Sequence, residues 1–389
     1  SVIEILEKQG VGDPEHFEAE LDSLAFVEFV IELENRFDIR IEETYLVKAN
    51  FSPLDFVCTH IENLLQEKER ILILTHERPD GDAFGSALGM QEFLRDCCGK
   101  RAEAYLPAPP ASRYAELIGS CKQTLTPEEL GNYDLILLLD CANRERIACG
   151  PAIGSASLPE LETPPMLNVD HHVGNNVGAR WNLVIPDAAA ASQIAAEIAL
   201  EFPCRIQPRP ATLWLLGILT DTGAFRFSNT LGRTLRVAAE LLDCGADLEG
   251  VVNAAYYSKP LRQQRFEVEL LETQERVALD GRYIYAYIPD ELFRKYDFDM
   301  RDGEGLIELL REVAGTKIVA LFYRKGDSFK VSLRSKDQRY PVGPLARALG
   351  GGGHDMAAGI TLTGMNHEEV EALLLEKAAA LLDQDAKQD

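Results

Sequence analysis

Apolar positions change their spacing along the chain, and the changes divide it into three sections. In residues 1–68 they recur three and four apart. Leu24, Val27, Val30, Ile31 and Phe37 of "SLAFVEFVIELENRF" have the spacing of an amphipathic helix. In "SPLDFVCTHIENLLQ", Ser52 stands as N-cap and Pro53 at the first helical position. A small all-α bundle is predicted here, ending at the polar "QEKER". From residue 70 the apolar residues run unbroken in "RILILTH", "YDLILLLD" and "PMLNVDHH", each run closing on acids or histidines. Helix-like segments such as "AFGSALGMQEFLRDCC" lie between them, so residues 69–250 are predicted as buried parallel strands alternating with helices. Residues 251–268 read as a helical connector. In residues 269–389, "GRYIYAYI", "TKIVALFY" and "SFKVSLRS" are predicted strands, followed by a helix near "VGPLARALG", a run of glycines and the closing helix "HEEVEALLLEKAAALL". This is a smaller α/β domain.

Composition narrows the function classes. No run reaches the roughly 18–20 apolar residues that span a bilayer, so no membrane role is expected. Eight cysteines show no C-x-x-C pair and read as reduced thiols of a cytoplasmic protein. The net charge is −24, and residues 1–68 hold 5 Lys/Arg against 16 Asp/Glu. Such a chain repels polyanions, which excludes a long duplex footprint. A small anionic ligand remains compatible if cations gather in one cleft.

The polar ends of the apolar runs supply those cations' ligands. In an open α/β sheet the site lies beyond the carboxyl ends of the strands. His76, Asp80 and Asp82 of "THERPDGDAFGS" read as a turn between strand and helix, with Gly81 and Gly85 permitting tight backbone. Asp140 closes "LILLLD", and Asp170, His171 and His172 open "DHHVGNN". Asp221 and Thr222 follow the apolar run in "GILTDTGAFRF". Singly, each has a bland reading. His76 would be structural, Asp80, Asp82 and Asp221 would be turn residues, and Asp140 would cap a helix. Jointly those readings fail, because carboxylates converging on one edge repel by several kcal/mol in a low dielectric unless cations sit among them. Two divalent ions answer the problem. Mixed His/carboxylate donors without thiolate favour Mn²⁺, Mg²⁺ or Fe²⁺ over a structural zinc. Two ions about 3.5–4 Å apart can generate a hydroxide and stabilise both oxygens of a phosphoryl hydrolysis.

"THERPDGDAFGS", Asp140, "DHH" and "TDTGAF" resemble the successive motifs of the DHH phosphoesterase superfamily. "SLRS" (332–335) with "GGGGHDMAAG" (350–359) resembles its DHH-associated C-terminal domain. Spacing and length are similar to the bacterial nanoRNase/pAp-phosphatase branch. The resemblance implies one metal on His76, Asp80 and Asp140, and a second on Asp82, Asp140, His171 and Asp221. Mn²⁺ is the expected ion, with Mg²⁺, Fe²⁺ and Co²⁺ as alternatives. It implies that His172 contacts the scissile phosphate or assists proton transfer to the leaving oxygen, with Asp170 orienting an imidazole. Backbone N–H groups of Gly351, Gly352 and Gly353, the Arg334 fork and His354 would hold the substrate's other end. The implied reaction is hydrolysis of short 5′-phosphorylated oligonucleotides or 3′,5′-ADP to nucleoside 5′-monophosphates. A cyclic-dinucleotide phosphodiesterase or a pyrophosphatase of the same superfamily is the alternative among enzymes.

"ELDSLAFVEFVIELENRFDIRI" is similar to helix II of acyl carrier proteins and its approach. The resemblance implies 4′-phosphopantetheine on Ser23 of Asp22-Ser23-Leu24. The acidic face of Glu28, Glu32 and Glu34 fits the basic patches of acyl-transfer or carrier-synthase partners. Without modification, Ser23 is an N-cap on a small bundle. A homodimer is a further expected assembly. The reading outside enzymes is a carrier or docking protein whose metal domain senses nucleotide.

Overall fold

The computed structural model describes residues 61–383, apart from Glu62, Ser120, 151–152, 154–163, 301–302 and Glu304. Apart from Ala111–Arg113, which group with the second, the described residues divide into two compact units between Tyr257 and Ser258, inside the predicted connector. The connector is helical up to Tyr257 and again from Leu261. Its break falls at Ser258–Pro260, where Pro260 lacks the N–H that would continue a helix.

The first unit is built on five parallel strands in the order β2-β1-β3-β4-β5: Arg70–Leu74 (β1), Arg101–Ala104 (β2), Leu135–Leu139 (β3), Met166–Asp170 (β4) and Trp181–Val184 (β5). Every residue of β3 and β4 is buried. That accounts for their unbroken apolar run, because a strand covered on both faces has no solvent side to pattern. The chain leaves β1 toward β2 on one side and β3 on the other. The edge between β1 and β3 is therefore a topological switch point, where α/β sheets open a crevice.

Three helices complete that edge: Gly81–Asp96 (α1), Ala191–Leu200 (α2) and Pro208–Asp221 (α3). α1 packs against both others. Gly81, Gly85 and Gly89 form one stripe of α1, and a Cβ on them would collide with Thr220, Leu213 and Trp214 of α3 respectively. Gly81 and Gly85 are thus helical residues that let two helices touch, not the tight-turn residues expected from sequence. The contacts run antiparallel, so the N-terminus of α1 meets the C-terminus of α3. Asp82 and Asp221 are brought to the same end.

The second unit has six strands in the order β10-β11-β9-β8-β7-β6. They are Glu275–Ala278 (β6), Tyr283–Ile288 (β7), Ile318–Lys325 (β8), Ser328–Ser335 (β9), Gly352–His354 (β10) and Ala357–Thr363 (β11). Only β7 and β8 pair in parallel. Phe329, Val331 and Leu333 of β9 join a core with the helices Val342–Ala348 (α4) and His367–Leu382 (α5). Ser328, Lys330, Ser332 and Arg334 alternate with them on the less buried face.

Candidate metal centre

The expected ligands of the first unit converge at the carboxyl edge of its sheet. His76 stands just beyond β1, and Asp80 caps α1 by accepting the Ala83 N–H at 3.2 Å. Asp82 sits in the first helical turn rather than in the preceding loop. Asp140 follows β3 with φ of 53°, a left-handed conformation that Asp tolerates better than most residues. Asp170 ends β4, His171 and His172 follow it, and Asp221 is the last residue of α3.

Asp140 lies between two donor groups. Its Oδ2 is 3.4 Å from His76 Nε2, which in turn lies 3.9 Å from Asp80 Oδ1. Its Oδ1 is 3.5 Å from His171 Nε2, which lies 3.5 Å from Asp221 Oδ2 and 3.9 Å from Asp82 Oδ2. These separations exceed charge-assisted hydrogen bonds of about 2.7–2.9 Å. They suit donors that share one cation through bonds of about 2.0–2.2 Å. The donor set itself, imidazole nitrogens with carboxylate oxygens, fits a divalent ion. His171 Nδ1 meets the Ala188 carbonyl at 3.3 Å, a contact that puts the proton on Nδ1 and turns the Nε2 lone pair toward the carboxylates.

Charge repulsion in the edge is visible in its proton affinities. Burial, reinforced by the negative charge of Asp140, pushes the Asp82 carboxyl up to about 7. Burial and Asp82 raise Asp221 well above the usual carboxylate range. Burial would raise Asp140 as well, but His171 and His76 outweigh it and hold Asp140 well below that range. Burial would lower His76, yet the facing carboxylates of Asp140 and Asp80 bring it to about 10. Protons thus stand where cations are favoured.

Comparison with known proteins agrees with this geometry. Residues 70–218 match the DHH family, N-terminal domain, and residues 280–384 match the DHHA1 domain. The bifunctional oligoribonuclease and PAP phosphatase NrnA of Thermus thermophilus is 32% identical over 307 residues, 79% of this chain and 88% of that protein. The chain belongs to the DHH family. It is accordingly a metal-dependent phosphoesterase. Its fold is shared by an exopolyphosphatase-related protein from Bacteroides fragilis, 23% identical with a TM-score of 0.74, over 83% of this chain and 97% of that one. It is also shared by RecJ of Thermus thermophilus in complex with Mn²⁺, 15% identical with a TM-score of 0.50, over 85% of this chain and 54% of that one.

Within this DHH edge, Asp170 is fully buried and its Oδ1 accepts from His172 Nδ1 at 2.8 Å. Burial would raise Asp170, but the His172 contact keeps it below its ordinary value, so it is an anion that fixes the Nδ1–H tautomer. Two supports escaped the sequence reading. The N–H groups of Ala191 and Ser192, at the start of α2, donate to Asp82 at 2.6 and 2.8 Å. Asn175 donates to Asp170 Oδ2 at 2.7 Å. The signal for Asn175 was its place just after the DHH triplet; nothing local marked "AAAASQ" as the cradle of a residue 109 positions earlier.

The second unit holds the other expected contacts. Arg334 donates from Nε to Glu308 at 3.2 Å and from Nη1 to the Leu333 carbonyl at 3.0 Å, so part of its fork serves the fold. The glycine run is a hairpin arm, not an open loop. The Gly351 N–H, expected to face a phosphate, donates instead to the Ala346 carbonyl at 2.8 Å, because a helix end needs its carbonyls satisfied. A Cβ on Gly351 or Gly353 would collide with the backbone of β11. Gly352 pairs with Gly359, and both are exposed. His354 ends β10 opposite Ala357. Ser23 and the carrier-like segment lie outside the described residues. No disulfide joins any of the seven described cysteines, and no described helix is long and apolar enough to cross a membrane.

Proposed function

We propose that this protein uses two divalent cations to hydrolyse short 5′-phosphorylated oligonucleotides and 3′,5′-ADP to nucleoside 5′-monophosphates. The observation that carries the reading is Asp140, with one carboxylate oxygen facing His76 and the other facing His171. In this assignment His76, Asp80 and Asp140 hold one ion; Asp82, Asp140, His171 and Asp221 hold the second. When bound, the ions supply Lewis-acid charge and lower the pKa of water at the scissile phosphate. Asp170 holds Nδ1–H of His172, which supports the proposed role of Nε2 in exchanging a proton with the leaving oxygen. Mn²⁺ is the proposed ion, supported by the donor set and by the RecJ complex with Mn²⁺.

The substrate class is supported by the name of the Thermus thermophilus relative and by the acidic surface, since a few nucleotides need few cations. Arg334, His354 and the exposed Gly352 are the proposed contacts of the second unit, residues 269–389, with residues 69–250 as the catalytic domain. Residues 1–68 are a proposed carrier module carrying 4′-phosphopantetheine on Ser23. A mass gain after incubation with coenzyme A and a carrier synthase is expected, and an unchanged mass refutes it. The function itself is tested with Mn²⁺-loaded protein on 3′,5′-ADP, pApA, five-nucleotide RNA, cyclic di-AMP and pyrophosphate. Turnover of the first three in preference to the last two is expected. Preference for cyclic di-AMP or pyrophosphate overturns the assignment.

A further inference from the structure

Residues 140–143 and 170–176 leave neighbouring strands and must both be held still, since one carries Asp140 and the other His171 and His172. One side chain fastens them together. Asn175 Nδ2 donates to Asp170 Oδ2 at 2.7 Å and to the Cys141 carbonyl at 3.0 Å, while its Oδ1 accepts the Val177 N–H at 3.1 Å. The amide orientation is fixed by this set, because a flipped amide would press oxygen on two acceptors and NH₂ on a donor. A backbone bond from the Asn176 N–H to the Ala142 carbonyl, 2.9 Å, runs alongside.

Each bond has a consequence for the hydrolysis. Asp170 is fully buried, and a buried carboxylate needs its lone pairs engaged. His172 takes one oxygen and Asn175 the other, which stops the carboxylate from rotating and so stops the imidazole. Cys141 follows Asp140, whose left-handed backbone is costly for a residue with a Cβ. Gripping the Cys141 carbonyl stabilises the conformation that aims Asp140 between the two donor groups.

We propose that Asn175 is a positioning residue for phosphoester hydrolysis, holding with one amide nitrogen both the carboxylate that orients His172 and the backbone that follows Asp140. The inference rests on the phosphoesterase reading of the edge. It gives an ordering that size alone would reverse. Asn175→Ala leaves a space where water can bridge Asp170 and Cys141. Asn175→Asp keeps the shape but sets a third acceptor against two others, so it is the more damaging change.

The test uses the full chain loaded with Mn²⁺ and whichever substrate of the panel the wild type turns over. Asn175→Ala is expected to lower kcat about 10- to 100-fold, the usual range for a residue that supports ligands and their neighbours, with KM within about threefold. Asn175→Asp is expected to fall lower still and to melt below Asn175→Ala, because its carboxylate faces the buried Asp170 carboxylate. As a readout independent of turnover, the low-field proton signal of Mg²⁺-loaded protein that His172→Gln abolishes is expected to shift in both variants. Asn175→Asp matching or exceeding Asn175→Ala in kcat, or an unmoved signal, overturns the proposal. If Asn175→Asp does not fold, Asn175→Ala is read alone, and a kcat within about threefold of wild type or an unmoved signal then overturns the proposal. A wild type idle on every substrate refutes the proposed function instead, and the proton signal still decides the role of Asn175.

Discussion

The two donor groups that share Asp140 differ in how they are held. In the His76 group, Asp80 lies four residues from His76, caps its own helix by accepting the Ala83 N–H, and its side chain is 50% exposed. In the His171 group, the Asp82 side chain is 1% exposed and is gripped by two N–H groups of α2, while Asp221 arrives from α3. One group is a local loop at the rim; the other is assembled by tertiary packing. Both contain a histidine and Asp140, but the His171 group has two terminal carboxylates, Asp82 and Asp221, against Asp80 alone, so charge and support differ in the same direction. A well-supported group is expected to hold its ion tightly, and a rim group to exchange it.

The comparison breaks most completely at Asp140. Asp140→Ala removes the carboxylate common to both groups, and turnover on the best substrate is expected to fall at least about 10³-fold. Calorimetric titration with Mn²⁺ should show both binding events weakened. A variant that loses one event only would mean that Asp140 does not serve both groups.

Next come the terminal carboxylates. In Asp82→Asn the new NH₂ must face the N–H of Ala191 or Ser192, leaving a buried donor without an acceptor at about 1–3 kcal/mol. Lower thermal stability is expected, with activity that millimolar Mn²⁺ does not restore. Asp80→Asn keeps a capping oxygen for Ala83 and loses only a rim ligand. Its activity is expected to need about 10- to 100-fold more Mn²⁺ and then to recover. The Mn²⁺ dependence of kcat in the two variants checks the contrast; equal rescue would remove it.

Proton linkage sharpens it further. In chelated protein, Asp82 at about 7 binds a proton more tightly folded than unfolded, so stability falls as pH rises from about 4 through 7. His76 at about 10 has the same sign: its contribution is complete below about 6.5 and is lost as pH rises through 10. The lowered Asp140 acts only on the acid side, where stability is lost as pH falls. The melting temperature in EDTA is therefore expected to fall between pH 6 and 9, with the increment from Mn²⁺ growing over the same range. An EDTA profile that rises with pH contradicts the crowding of these carboxylates.

What the amino-acid order reveals follows the same division. The runs forming β1, β3 and β4, and the DHH triplet, are legible because burial on both faces writes itself into consecutive residues. β2 and β5 are four-residue strands at the sheet edges and leave no such run. β11 is legible in principle, since Ala358, Ile360 and Leu362 alternate with less buried positions, but Gly359 in its middle and the glycines before it weaken the strand pattern. The His76 group could be read locally. The support of the His171 group could not, because Asp82 finds its donors at Ala191 and Ser192 and its helix finds Leu213 and Thr220. Glycines at 81 and 85 announce that something comes close without saying what.

Two glycines turn that last ambiguity into the mildest test. A Cβ at Gly85 would enter the Leu213 carbonyl and the Gly217 backbone, rigid atoms that cannot step aside. Gly85→Ala is expected to cost about 1–3 kcal/mol as overpacking, and to raise the Mn²⁺ requirement by spreading Asp82 from Asp221. At Gly352 a Cβ would meet nothing within 4 Å, and no left-handed φ demands glycine there. Gly352→Ala should leave the melting temperature unchanged or slightly raised, since glycine in a strand costs conformational entropy. A wild-type melting temperature with a several-fold higher KM would assign exposed Gly352 to the substrate face. An unchanged KM would confine substrate recognition in the second unit to side chains such as Arg334 and His354.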